Sequence, residues 1–503
     1  MSNKQANLIS GRRLARNVGW NLLGTGAPLL VAIVAIPILI EGLGTARFGV
    51  LTLAWMVVGY FSLFDLGLGR ALTKLIAEKL GKGLDIEIPA LIWTAMSLMA
   101  ILGVLGAIVV AALSPWLVGG ILKIPFELQT ETLTAFYLLA ASIPIVISST
   151  GLRGILEAHQ CFGFVNAVRV PLGIFTFLGP VVMLPFSNSL VPVVAALVIA
   201  RLASWCAYAV LSLKVEPALR HSVSVHRAMV RPLISFGGWM TVTNIVGPLM
   251  VYLDRFLIGA VVSMAAVAYY ATPYEVVTKL WIIPGALMGV MFPAFAAALV
   301  KDRAHAARLY ARTVNYIFLS LFPVALIIVT FSHEGLTLWL GNEFADNGTV
   351  VLQLLAVGVF INSHAQVPFG MVQSAGRPDL TAKLHLIELP FYLLILWWLV
   401  GAYGIIGAAV AWLLRVSIDT VFLFILAHNI MSGASPFTLR TVLMASVSLL
   451  VLALGTVIPG LAMKGLFLLL ALLIFAAVSW FALLAVDERN MIRSRLKIMP
   501  TFN

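Results

Sequence analysis

Lysine and arginine fall almost entirely into every second gap between the apolar segments of this chain, and that alternation limits what it can fold into. Read as 14 membrane spans, the sequence places 24 of its 32 Lys and Arg residues in or at the edges of the N-terminus, the even-numbered loops and the C-terminus. Only Arg47, Lys123 and Lys464 fall in odd loops, and Arg70, Arg201, Arg255, Lys279 and Arg415 fall inside spans. Cations resist translocation, so the loops that carry them stay cytoplasmic. The split predicts that both termini are cytoplasmic.

Hydrophobic residues make up 61% of the chain and charged residues 10%, against roughly 25% charged in a soluble domain. In lipid only helices and closed barrels satisfy every backbone polar group. These runs are too long and too continuously apolar for barrel strands, so the expected class is an all-α polytopic membrane protein. The net charge of +12 is scattered over short loops and forms no single patch, which argues against a nucleic-acid partner and for contact with anionic membrane lipids. Cys161 and Cys206 supply neither a disulfide framework nor metal-ligand spacing. The basic stretch Lys4, Arg12, Arg13, Arg16 precedes an apolar run of about the 20 residues a bilayer requires, which reads as an uncleaved first span.

The spans are read at 17 to 40, 48 to 79, 88 to 113, 132 to 152, 164 to 186, 190 to 213, 233 to 262, 266 to 298, 312 to 332, 348 to 373, 383 to 400, 404 to 427, 438 to 458 and 465 to 485. The longest polar gap, Lys214 to Arg231, divides six spans from six. Gly19-Trp20 falls on Gly238-Trp239 and Pro28 on Pro248 at offsets of 219 and 220, and Arg201 on Arg415 at an offset of 214. The expected organisation is an N-terminal lobe (1–217), a C-terminal lobe (218–430) and a terminal helix pair with tail (431–503). Two pseudosymmetric lobes suit alternating access around a central site.

Several short motifs resemble one family in order and spacing. Asn17-Val18-Gly19-Trp20-Asn21, Leu43-Gly44 with Phe48-Gly49, and the run from Phe64 to Ala71 open the chain. The run from Gly154 to Ala158 with Asn166, that from Asp254 to Gly259 with Tyr269-Tyr270, and Leu338 to Gly341 with Glu343-Phe344 follow. Together they resemble the bacterial polysaccharide-transport (Wzx-type) flippases, whose superfamily also holds multidrug and toxin extrusion antiporters and the lipid II flippase. The resemblance implies a non-enzymatic protein of the bacterial inner membrane that moves a polyprenyl-diphosphate-linked oligosaccharide to the periplasmic leaflet for surface polysaccharide biosynthesis. It also implies cation coupling without ATP, and a polysaccharide polymerase and chain-length regulator as partners. The sequence agrees in one respect: it has no Gly-rich phosphate loop followed by Lys and Ser or Thr, so no nucleotide cofactor is expected. Acids dominating the membrane interior would favour a drug or metabolite antiporter instead, and long periplasmic loops carrying catalytic acids would favour a glycosyltransferase or ligase.

Ionisable residues deep in a span are costly and mark function by default. Five cationic residues are balanced here by five acidic ones, Asp65, Asp254, Glu275, Glu388 and Asp419. Glu275 and Lys279 lie about 14 and 20 Å into span 8 at about 1.5 Å per residue, spaced i, i+4 with Glu first, the favourable order for a helical ion pair. Lys279 either meets a diphosphate while Glu275 is the protonatable partner, or the two only neutralise each other. Asp254 and Arg255 point about 100° apart, so one can line a cavity while the other braces a helix. Asp65 and Arg70 bracket Gly67 and Gly69 near the cytoplasmic face, a candidate gate, with Arg70 snorkelling to the interface as the plainer reading. Arg415 has Asp419 one turn on, whereas Arg201 has no acid in its own span and would need a cross-helix partner such as Glu388 or a substrate phosphate, which Arg can grip in a bidentate fork. The substrate candidates are thus Lys279, Arg255, Arg201, Arg70 and Arg415, and the cation-coupling candidates Glu275, Asp65 and Asp254; no metal site or catalytic residue is expected.

Overall fold

The structure is a computed structural model, and it describes residues 28–61, 67–159, 161–220, 223–231, 233, 250, 252–431, 439–484 and 488–490. Among them every regular element is helical and none is a strand, as the composition requires. Among the described residues eight helices are long and apolar enough to cross a membrane, and Pro28–Leu43 and Leu443–Val457 are shorter apolar helices. The motif residues 17–21 and 64–66 and the repeat partners Gly238, Trp239 and Pro248 lie outside the described residues.

The chain packs as two compact units, Met1–Ala271 and Thr272–Asn503. In the first, the helices are α1 (Pro28–Leu43), α2 (Thr45–Phe61), α3 (Leu68–Lys82), α4 (Ile88–Trp116), α5 (Phe126–Ala158), α6 (Phe162–Met183), α7 (Leu190–Val215) and α8 (252–261). The central helix is α5, against which α3, α4 and α7 pack. Its most apolar stretch is 67% buried while that of α4 is 11% buried, so α4 turns an apolar face outward, as lipid-facing helices do. Leu72, Ile76, Ile88, Leu91, Met99, Ile147 and Ile155 form a continuous core. The long polar gap is pinned onto α4 where Trp93 Nε1 donates to the Leu219 carbonyl at 3.3 Å and the His226 N–H donates to Thr94 Oγ1 at 3.0 Å.

The second unit holds α9 (Met264–Thr278, of which the last seven residues belong here), α10 (Ile282–Lys301), α11 (Arg303–Thr330), α12 (Ser332–Leu340), α13 (Asn342–Ser374), α14 (Pro378–Met431), α15 (Leu439–Val457) and α16 (Leu461–Val478). Helix α13 occupies the buried position that α5 holds in the first unit, with 56% of its apolar stretch covered. Phe318, Phe322, Phe360 and Phe475 close one side of it with ring centroids 5.1–6.1 Å apart.

Two predicted spans are interrupted, each for a local reason. Span 2 does not run through as one helix. Gly67 adopts φ 71°, left-handed backbone that glycine enters without strain, and a new helix starts at Leu68. Span 8 tightens into a single narrow turn at Lys279–Trp281 between α9 and α10. Pro284 cannot donate to the Leu280 carbonyl four residues back and its ring crowds that carbonyl, so the helix restarts.

Helix α14 is a hairpin. A straight helix of its 54 residues would be about 80 Å long at 1.5 Å per residue, far beyond a hydrocarbon core of about 30 Å. At Gly404 the backbone swings to φ 57°, and a Cβ on Gly407 would collide with the Leu399 carbonyl. The predicted spans 11 and 12 are the two arms, and residues whose numbers add to about 804 face each other across them.

Candidate functional site

Motif glycines mark points of closest approach. A side chain on Gly49 would overlap the backbone of Met264, and one on Gly259 would overlap the Met264 side chain. A Cβ on Gly154 of α5 would sit 2.6 Å from Thr73 Oγ1 and 3.0 Å from the Gly69 carbonyl of α3. Small residues there let two helices cross nearly backbone to backbone. Gly44 and Gly341 instead end helices in the left-handed region, at φ 79° and 87°.

The two motif segments at 254–259 and 269–270 meet. Tyr270 Oη donates to Asp254 Oδ2 at 2.6 Å, and the Arg255 N–H donates to Oδ1 at 2.7 Å. Asp254 has no exposed surface and Arg255 is 2% exposed. The Arg255 guanidinium lies 5.3 Å from the centroid of the Tyr252 ring and Nη1 lies 3.6 Å from Met56 Sδ. The pair's contacts with Tyr270, Tyr252 and Met56 all lie within the first unit.

Glu275 and Lys279 pair across one turn at 3.1 Å, with 46% and 40% of their side chains exposed. Arg70, on the first turn of α3, is exposed, and Asp65 lies outside the described residues. Arg201 on α7 is half-buried, and its Nε is enclosed without a hydrogen-bond partner.

Arg415 does not pair with Asp419 as the one-turn spacing suggests. Its guanidinium lies 5.7 Å from the centroid of the Tyr392 ring, and its Nε is also buried without a partner. Asp419 is instead approached by His385 from the opposite arm, Nε2 to Oδ1 at 3.4 Å. Glu388, one turn after His385, completes a cluster in which one donor atom from each of the three residues lies within 4.8 Å of the others. The sequence reading named Glu388 and Asp419 only as neighbours of arginines and passed over His385. The available signal was the His-x-x-Glu spacing on one face, with Asp419 on the following arm of the hairpin.

The three cations in odd loops are each engaged. Arg47 Nε donates to Glu131 Oε1 at 2.6 Å, Lys464 Nζ to Glu334 Oε1 at 2.8 Å, and Lys123 Nζ to the Val261 carbonyl. Glu131 also accepts from Ser189 Oγ at 2.8 Å.

Helices of this number, two units each built on one buried helix, and ionisable residues within the spans define a multi-pass membrane protein of the transporter type. Its fold is that of a multidrug resistance transporter of the MATE family in the inward-facing state (TM-score 0.67, 15% identity, 82% of this chain and 98% of that one) and of the lipid II flippase MurJ (TM-score 0.70, 13% identity, 93% and 99%). Residues 14–299 match the family described as polysaccharide biosynthesis protein, and the chain belongs to that family. It is 34% identical over 413 residues to a Shigella flexneri protein named as an O-antigen transporter, covering 82% of this chain and 96% of that one. It is 21% identical over 423 residues to the lipopolysaccharide biosynthesis protein WzxC of Escherichia coli, covering 83% and 81%.

Proposed function

We propose that this protein is a flippase that moves a polyprenyl-diphosphate-linked oligosaccharide across the bacterial inner membrane, coupled to a cation gradient, with both termini cytoplasmic. The 34% identity along nearly the whole of a protein named as an O-antigen transporter carries this reading. The chemistry of the described charges supports it. A diphosphate needs cationic donors that are not already neutralised by hydrogen bonds, and Arg201 and Arg415 each hold a buried Nε without a partner. Lys279 presents its ammonium from a half-exposed pair in which Glu275 can release it.

In this reading Lys279 competes for two anions. The Glu275 carboxylate holds it when no cargo is bound, and the cargo's phosphate displaces Glu275, which then takes up a cation. Arg201 in the first unit and Arg415 in the second each offer a guanidinium that a bidentate phosphate contact would use. Arg70, at the exposed start of α3 beyond the Gly67 bend, serves entry.

The test is deletion of the gene and complementation with Lys279→Ala and Arg201→Ala. Surface polysaccharide should fall sharply in both at normal expression; full restoration by both would remove the cationic assignment. Replacement of Glu275 by Gln should abolish cargo-dependent cation flux in proteoliposomes, and unchanged flux would exclude that residue.

A further inference from the structure

The α14 hairpin holds an ionisable cluster that the reading above leaves unused. His385 and Glu388 lie one turn apart on the first arm, and Asp419 faces them from the second, with donor atoms within 4.8 Å of one another. Glu388 is 8% exposed and Asp419 3%. Neither oxygen of Glu388 has a hydrogen-bond partner, and Asp419 Oδ1 accepts no hydrogen bond. A buried carboxylate left without donors is a strongly unfavourable arrangement unless something else occupies the site.

Charge bookkeeping identifies what is missing. Glu388 and Asp419 contribute two negative charges, and Arg415, close enough for its positive field to reach Glu388, contributes one positive. With His385 neutral the cluster is one positive charge short. Two carboxylates sharing an apolar site hold a proton between them because both cannot remain charged. A divalent metal would overshoot neutrality beside an arginine. Sodium, like other hard cations, is served by oxygen donors, whereas one of the three donors here is an imidazole nitrogen, a group suited to taking up and passing on a proton.

The surroundings isolate the cluster. The packed helix α13 presents the Phe369 ring, stacked on His385 with centroids 6.2 Å apart and planes 10° apart. The acids of that helix, Glu343 and Asp346, lie in its first turns, about 39 and 34 Å from Phe369 at 1.5 Å per residue. Its His364 faces Phe318 and Phe360. From α9 and α11, Tyr274 and Tyr310 reach the second arm at Trp412 and Phe424. On the first arm Lys383 is paired with Asp379 at 3.6 Å, and Tyr392 lies against Arg415.

We propose that His385, Glu388 and Asp419 form a proton-binding site that loads and releases one proton per transport cycle. Glu388 and Asp419 share the proton, and His385, with its ring plane set by Phe369 and its Nε2 3.4 Å from Asp419, passes it in and out. The link to transport rests on the flippase reading; the binding of a proton does not.

The test separates the two. Infrared difference spectra of the full-length protein in lipid nanodiscs, without cargo, should show a buried carboxylic-acid band that disappears as pH rises. Glu388→Gln should remove that band, Asp419→Asn should shift its midpoint by a pH unit or more, and His385→Gln should slow its appearance. An unchanged band in both Glu388→Gln and Asp419→Asn overturns the proposal. So does a tryptophan-fluorescence response to sodium at fixed pH that Glu388→Gln abolishes, because the site then takes a metal ion. If Glu388→Gln fails to fold, Asp419→Asn and His385→Gln carry the same decision. Lys279→Ala should keep the band while losing cargo movement; a wild-type protein that shows the band but moves no lipid-linked oligosaccharide supports the site and removes the flippase reading.

Discussion

Asp254 and Glu388 are both carboxylates buried among apolar helices, and their surroundings differ in kind. Asp254 receives Tyr270 Oη at 2.6 Å and the Arg255 N–H at 2.7 Å, with a buried guanidinium on the next residue. Glu388 receives no hydrogen bond at either oxygen. The first is an acid whose donors come from its own unit, so removing it unbalances a network. The second is an acid whose partner is not supplied by the fold, so removing it should cost function and not structure. Burial alone therefore does not separate the two acids; the presence or absence of hydrogen-bond donors does.

The comparison can be broken by stability measurements on the purified protein, in descending order of effect. Asp254→Ala should be the most damaging, because it removes the acceptor of two buried hydrogen bonds, from Tyr270 Oη and from the Arg255 N–H, a loss of about 1.5–3 kcal/mol for each, read as a large drop in Tm and in expression. Tyr270→Phe should remove one donor to that carboxylate for about 1.5–3 kcal/mol. Lys464→Ala should cost no more than about 1 kcal/mol, since its pair with Glu334 is partly exposed. Glu388→Gln should leave Tm unchanged or raised, because no described donor is lost. A large fall in Tm for Glu388→Gln, or a neutral Asp254→Ala, would erase the distinction.

The Lys464 pair also gives a pH dependence. Partial burial pushes the Glu334 carboxyl up, but the hydrogen bond and charge of Lys464 outweigh it and hold the group below the usual carboxylate range. A group lowered in the folded state contributes stability above its unfolded value, and that contribution is lost as pH falls through the lowered value. The wild type should thus lose a small increment of Tm on acidification below about pH 4, and Lys464→Ala should lose that increment at all pH values. An equal acid response in both would show that the pair contributes nothing.

Much of the fold was legible because lipid leaves so few options. Apolar runs of bilayer length and the alternation of cations require helices, and the i, i+4 spacing of Glu275 and Lys279 foretold their ion pair. The Gly67-x-Gly69 pattern foretold a bend, although not that the helix would end and restart there. The cluster at 385, 388 and 419 was missed although spans 11 and 12 already form a hairpin in the sequence reading: Asp419 is 31 residues from Glu388 in sequence, and which faces the two arms turn to each other across the reversal at Gly404 has no local signature. The motif glycines were recognisable as a pattern, but what they touch was not. Gly154 shows why: a Cβ there would collide with Thr73 Oγ1 and crowd the Gly69 carbonyl of α3, a contact with no local sequence signature.

The most direct test of the central claim is a leaflet-accessibility assay in proteoliposomes containing the purified protein and a fluorescent polyprenyl-diphosphate-linked oligosaccharide, with an imposed pH gradient. The account predicts movement of the sugar to the opposite leaflet that responds to the gradient in wild type, ceases in Lys279→Ala and loses its gradient response in Glu388→Gln. Movement at the protein-free rate in wild type, or movement indifferent to both substitutions, would contradict it.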